Sequence, residues 1–139
     1  MHEVYEARKH LEYKEPSVIG KHVYGDLYFY DVEPLKDKDF IEGIVKKAAK
    51  EGNMHIASIS SEKFKSAKGD EEGGVSVTAI ILESHIAIHT WPEDKYANVD
   101  IFSCGAESDP NKAFDYIVNK LKPYAYTKSY ADRSNKYKL

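Results

Sequence analysis

The chain has 139 residues, 42% of them hydrophobic, enough for one domain with its own core and too few for two. Its net charge is −3 and its lysines and arginines are scattered, so the basic stripe that nucleic-acid binders use is missing. Cys104 is the single cysteine, which excludes an intrachain disulfide and a multi-cysteine metal site; with no signal-peptide core and no run of roughly 18 apolar residues, the expected compartment is the cytoplasm, away from membranes.

Residues 1–16 are polar and charged and end at Pro16, which reads as a loosely held extension ahead of one domain spanning 17–139. Residues 17–32 carry Val18, Val23, Leu27, Phe29 and several tyrosines, the pattern of a strand interrupted by glycines. A helix follows: Phe40, Ile41, Ile44, Val45 and Ala48 recur at helical spacing, Asp37 or Asp39 can cap the start, and Gly52 can close the end. Residues 54–61 alternate as a strand does, with Met54, Ile56 and Ser58 out of phase with His55, Ala57 and Ile59, and give way to a charged loop over 62–74.

Three apolar segments, 75–82, 85–91 and 96–104, are rich in Val, Ile, Thr and aromatics and are joined by short polar connections, so they form a meander of antiparallel strands. In the second helix Ser108 or Asp109 caps the start, Pro110 suits the first position, and Phe114, Ile117, Val118 and Leu121 mark one buried stripe up to Pro123. Residues 124–131 read as a last strand before a polar tail. The order of elements implies an α+β fold, a two-layer sandwich of an antiparallel sheet with helices on one face. The other face is left bare and mixed in character, which predicts a homo-oligomer paired through the sheets.

Within the meander, the aliphatic run at 79–93 is broken by Glu83, Ser84 and His85. His85 and His89 lie four apart, about 13 Å along a strand, too far for both to bind one ion, so no metal site is assigned. His85 alone reads as a half-buried, hydrogen-bonded side chain, Ser76 as an ordinary strand serine, and Cys104 as a small buried thiol. Together they read differently. A strained bend at Glu83–Ser84 could bring the Ser84 hydroxyl onto the Glu83 carbonyl, with Ser76, His89 and Cys104 gathered from adjoining strands. Parity places Ser84 out of phase with His89, an objection that a break between residues 83 and 84 would remove.

The stretches "GGVSVTAIILESHIAIHTWPE", "YANVDIFSCG" and "DPNKAFDYIVNKLK", with "IGKHVYGDLY" at 19–28, resemble the prokaryotic pyruvoyl-dependent S-adenosylmethionine decarboxylases, the short proenzyme type. The likeness is dense from Gly74 to Lys122 and leaves residues 1–16 uncovered. It implies a four-stranded antiparallel sheet that dimerises sheet to sheet, and a homo-oligomer of α/β heterodimers with both protomers near each site. It implies self-cleavage between Glu83 and Ser84 into a β chain, 1–83, and an α chain, 84–139, with a pyruvoyl group formed at residue 84. Ser84 would attack the preceding carbonyl, Ser76 stabilise the intermediate and His89 remove the α-proton. The pyruvoyl group would then serve as the electron sink for decarboxylation of an amine-bearing substrate, with Cys104 as proton donor, in the polyamine pathway that leads to spermidine.

The resemblance also assigns substrate contacts: Glu93 would hold the ribose hydroxyls, and Glu83 would border the substrate. The family stacks adenine on an aromatic just before the Ser76 strand, whereas here the nearest aromatic, Phe64, lies twelve residues before Ser76. An arginine decarboxylase found in some archaea shares the same machinery and is the alternative reading; Asp70, Glu71 and Glu72 could meet its guanidinium, although a solvated loop is the simpler account of that run. A catalytically dead regulatory paralogue would have lost Ser84, His89 or Cys104, and all three are present.

Overall fold

The computed structural model describes residues 11–66 and 72–138; Asp70, Glu71 and the first ten residues of the N-terminal extension lie outside them. In chain order the elements are β1 (Glu12–Tyr13), β2 (Gly20–Tyr28), α1 (Lys38–Glu51), β3 (Ile56–Lys63), β4 (Val75–Ile81), β5 (Ser84–Trp91), β6 (Tyr96–Cys104), α2 (Pro110–Leu121), β7 (Ala125–Tyr126), β8 (Ser129–Asp132) and β9 (Tyr137–Lys138). The main sheet is antiparallel in the order β3-β4-β5-β6-β2, with β7 and β8 both added beside β2. It is wider than the four strands implied by the family resemblance, because β2 pairs with β6 along its whole length and then takes the C-terminal strands on its other edge. The two-layer α+β architecture is as expected.

Both helices are set by their ends and one apolar stripe. The Asp37 carboxylate accepts from the Phe40 N–H at 3.0 Å to start α1, and Gly52 closes it with an N–H to the Ala48 carbonyl. Of the two candidate caps for α2, Asp109 serves, accepting from Lys112 N–H at 3.0 Å, and Pro110 takes the first turn. Ser108 is buried instead, its hydroxyl against that of Ser103. Phe40 turns out to be exposed, and Ala49 completes the inner face of α1.

The helices pack side by side on one face of the sheet. Ile41, Val45, Phe114 and Ile117 meet the inward positions Val77, Ile86, Ile88, Val99 and Ile101, all essentially dry. Each such side chain contributes roughly 1.5–3 kcal/mol of burial free energy. No helix among the described residues is long and apolar enough to cross a membrane.

The expected strand over 124–131 is split. Thr127 donates its N–H to the Asp26 carbonyl and its hydroxyl accepts from the Asp26 N–H at 3.0 Å, drawing the chain across Gly25. A side chain at Gly25 would overlap the Thr127 carbonyl, so the close approach requires glycine. Residues 12–13 of the polar extension pair with 137–138 of the tail.

Register and burial divide the sheet into two faces. The face away from the helices carries Ser76, Thr78 and Ile80 on β4, then His85, Ala87, His89 and Trp91 on β5. Beyond them lie Tyr96, Asn98, Asp100, Phe102 and Cys104 on β6, and His22, Tyr24, Asp26 and Tyr28 on β2. This open face holds Ser76, His85, His89 and Cys104, whereas Ser84 falls in the opposite phase at the start of β5 and Glu83 and Glu93 lie in the turns that flank that strand.

Candidate active site

The connection from β4 to β5 is a two-residue turn, Leu82–Glu83, closed by the pairing of Ile81 with Ser84. Tight hairpins of this length favour Gly or Asn, which tolerate positive φ. Neither is present, and the positive φ falls on Ser84, at 148°, a conformation that L side chains rarely adopt. Across the sheet Ser84 pairs with Ser103, and the N–H of the next residue, Cys104, donates to the Glu83 carbonyl at 2.9 Å. The residue before the strained serine therefore has its carbonyl held by a hydrogen bond.

The Glu83 carboxylate is also held. It accepts from the backbone N–H of His55 and from His55 Nδ1, both at 2.9 Å, while the His55 carbonyl accepts from Leu82 N–H at 2.8 Å. Burial pushes the Glu83 carboxyl up, but the hydrogen bonds from His55 outweigh it and hold the group below its ordinary range. Cys104 is half-buried beside this turn. Its carbonyl and that of Gly105 both accept from the Ser108 hydroxyl at 3.1 Å, which fixes the end of β6.

At the other end of the open face, Ser76 and His89 are directly paired, and Ser76 Oγ and His89 Nδ1 share a hydrogen bond of 2.8 Å. Trp91 stacks on Tyr96 with ring centroids 5.3 Å apart, and the Tyr96 hydroxyl donates to Asp26 at 2.6 Å. That bond, with burial behind it, raises the Tyr96 hydroxyl above its usual value. Glu93 lies exposed in the short turn 92–94 that follows β5. Phe64, half-exposed, is twelve residues from Ser76 in sequence but comes back beside it: its N–H donates to the Gly74 carbonyl at 2.8 Å, next to the Glu62–Ser76 pair.

Ser76 and His89 are thus brought together, and so are Glu83, Ser84 and Cys104. The two groups do not gather around one bend. Five residues of extended β5 separate Ser84 from His89, about 17 Å. Of the acidic run, Glu72 lies among the described residues, exposed and paired with Lys36 at 3.4 Å.

Sequence reasoning gave no role to two groups. One is His55, whose partner lies 28 residues away. The other is Asp100, in the middle of the open face, which accepts from His22 Nε2 at 2.8 Å and from His85 Nε2 at 2.7 Å. Burial pushes the Asp100 carboxyl up, and the two imidazoles more than reverse this, leaving it below the usual carboxylate range. An acid on the polar face of a central strand opposite two histidines was the available signal.

The chain is thus a two-layer α+β sandwich with a serine–histidine pair and a half-buried cysteine on the sheet face away from the helices and a strained serine at the β4–β5 hairpin. The sequence profile of S-adenosylmethionine decarboxylase matches residues 21–134. The arginine decarboxylase proenzyme of Pyrobaculum arsenaticum is 52% identical over 131 residues, 94% of this chain and 96% of that protein. The S-adenosylmethionine decarboxylase proenzyme of Sulfurisphaera tokodaii is 56% identical over 122 residues, 88% of this chain and 94% of that protein. The arginine decarboxylase proenzyme of Hyperthermus butylicus is 53% identical over 118 residues, 85% of this chain and 80% of that protein. The crystal structure of the adenosylmethionine decarboxylase from Aquifex aeolicus superposes with a TM-score of 0.74 at 30% identity, covering 85% of this chain and 92% of that one. The chain belongs to the S-adenosylmethionine decarboxylase family and is a decarboxylase, a carboxy-lyase.

Proposed function

We propose that this chain is a proenzyme that cuts itself between Glu83 and Ser84, leaving a β chain, 1–83, and an α chain, 84–139, with a pyruvoyl group in place of Ser84. The observation that carries the proposal is a serine at φ 148° directly after a carbonyl already engaged by the Cys104 N–H at 2.9 Å. Ser84 Oγ adds to the Glu83 carbonyl carbon, the C–N bond opens, and the hydroxyl proton ends on the freed amine, giving an ester. The Cys104 N–H stabilises the charge that develops on the carbonyl oxygen, and the Ser76 hydroxyl assists it. His89 then removes the Ser84 α-proton, the Ser84 Cβ–Oγ bond breaks, and the main-chain carboxylate of Glu83 departs as the new C-terminus of the β chain. The resulting enamine tautomerises, and water replaces its nitrogen, which leaves as ammonia.

Members of this family are known for a pyruvoyl group, and the residues here fit one: a serine at a strained turn whose preceding carbonyl is bonded by the backbone N–H of the half-buried Cys104. Such a group supplies an electron sink for loss of CO2. Cys104 is assigned the proton returned to the product carbon. Glu93 and Phe64 are assigned to the substrate's hydroxyls and ring, and Glu83 to its border.

The separation of about 17 Å between Ser84 and His89 supports a homo-oligomer. An isologous pairing of open faces about a two-fold axis that crosses β5 at right angles would lay the Ser76–His89 end of one protomer over the Glu83–Ser84–Cys104 end of its partner.

The substrate of the first reading is S-adenosylmethionine, supported by the family profile and the Sulfurisphaera relative. The second reading, arginine, is favoured by the names of the Pyrobaculum and Hyperthermus relatives. Release of labelled CO2 from carboxyl-labelled adenosylmethionine and arginine, measured in parallel on protein verified by mass to be two chains, decides between them. A single uncut, active chain would refute the cofactor and its mechanism together.

A further inference from the structure

The turn that bears the bond to be cut has none of the residues that make such turns comfortable. Leu82 and Glu83 have no intrinsic preference for a two-residue hairpin loop, and Leu82 is exposed, so packing does not hold it. The restraint comes from outside. Residue 55, just before β3, makes three hydrogen bonds to this turn: N–H and Nδ1 to the two oxygens of Glu83, and its carbonyl to the Leu82 N–H. The bond from the Leu82 N–H continues the Ile56–Ile81 pairing by one residue, whereas the two bonds to the Glu83 carboxylate are additional to the sheet pairing. The Glu83 carboxyl is largely withdrawn from water, 17% exposed, whereas the His55 side chain is 64% exposed. The imidazole is therefore present for its bond to Glu83 and not for burial.

Glu83 is fixed at two points: its carboxylate by His55, just ahead of β3, and its carbonyl by Cys104 at the end of β6. A residue held at both its side chain and its carbonyl cannot turn about its own backbone to relax the positive φ of Ser84 that follows. Free of the grip, the Glu83 peptide can rotate, and the orientation of its carbonyl toward Ser84 is no longer set. Placement errors of this kind are costly, because attack needs the reacting atoms aligned. We propose that His55 is a positioning residue for self-cleavage, holding the Glu83 carboxylate so that the carbonyl ahead of Ser84 stays aligned for attack; this rests on the cleavage reading given above.

The test follows cleavage in time. Full-length chain is produced by rapid cell-free synthesis, and the fraction converted to two chains is read by intact mass. Wild type and Ser84→Ala set the limits. His55→Ala should cut more slowly, on the order of tenfold, the effect expected for one charge-assisted hydrogen bond. His55→Asn, whose side-chain N–H stands close to the position of Nδ1–H, should recover most of the rate, and His55→Gln, with its donor one bond further out, should recover less. A role in stability alone would make the rates follow the melting temperatures, so these are measured beside them. Cleavage of His55→Ala at the wild-type rate, or equal slowing in His55→Asn, overturns the assignment of His55 and leaves the cleavage reading standing. Wild-type chain that never splits overturns both.

Discussion

Two variants that each lack one half of the machinery should rescue each other if Ser76 and His89 serve the partner's Ser84. His89→Ala removes the base from one end of the open face, and Cys104→Ala removes the thiol from the other, about 17 Å away along the same sheet. In a mixed dimer one site draws Ser84 and Cys104 from the first chain and Ser76 and His89 from the second, and is complete. The other site carries both lesions. With equal co-expression and random pairing, about half of the dimers are mixed, so decarboxylase activity should reach about a quarter of wild type, against near zero for either variant alone. Cleavage gives a second readout. His89→Ala chains should stay uncut alone, and about half of them should be split when co-expressed with Cys104→Ala, because only those in mixed dimers receive a working base. The assay is intact mass with one chain tagged, followed by CO2 release. Mixtures in which tagged His89→Ala chain remains wholly uncut would refute the two-chain site.

Ser84→Ala should remain one uncut chain by intact mass, and Cys104→Ala should split while its kcat falls by about 10²-fold or more, the range for a lost general acid. Asp100, held below its ordinary pKa by His22 and His85, stabilises the fold while ionised. That contribution is complete above the unfolded carboxylate value of about 3.9 and disappears as pH falls through the lowered folded value. Urea midpoints measured from pH 5 downward should therefore drop more steeply for wild type than for Asp100→Asn. Phe114→Ala empties a fully buried site between α2 and the sheet and should cost about 3–5 kcal/mol in denaturant unfolding without altering the residues of the open face.

Local chemistry made the helices legible. Asp37, Gly52, Asp109 and Pro110 punctuate two apolar stripes, and each signal acts within a few residues of the atoms it controls. The Ser76–His89 pair was legible at one remove. Once the turn is fixed at Leu82–Glu83, antiparallel register counts outward from Ile81 and Ser84 and reaches Ser76 and His89 after five steps on each strand. What could not be read depends on partners far apart in the chain. The split of 124–131 is decided by Thr127 meeting Gly25, and the pairing of residues 12–13 by a tail more than a hundred residues away. Phe64 looked remote from Ser76 because sequence distance was counted along a loop that the β3–β4 hairpin folds back.

The gathering of all the polar residues around one bend was the expectation that register overturns. The count that joins Ser76 to His89 also carries both of them five residues away from Ser84. A rigid ladder admits no compromise on this point, since sliding β5 by one residue would turn His89 into the helix layer and empty Ile88 from the core. Strand pairing thus separates Ser76 and His89 from Ser84 within one protomer, and it is this separation that the proposed homo-oligomer, with a second sheet laid across the open face, would bridge.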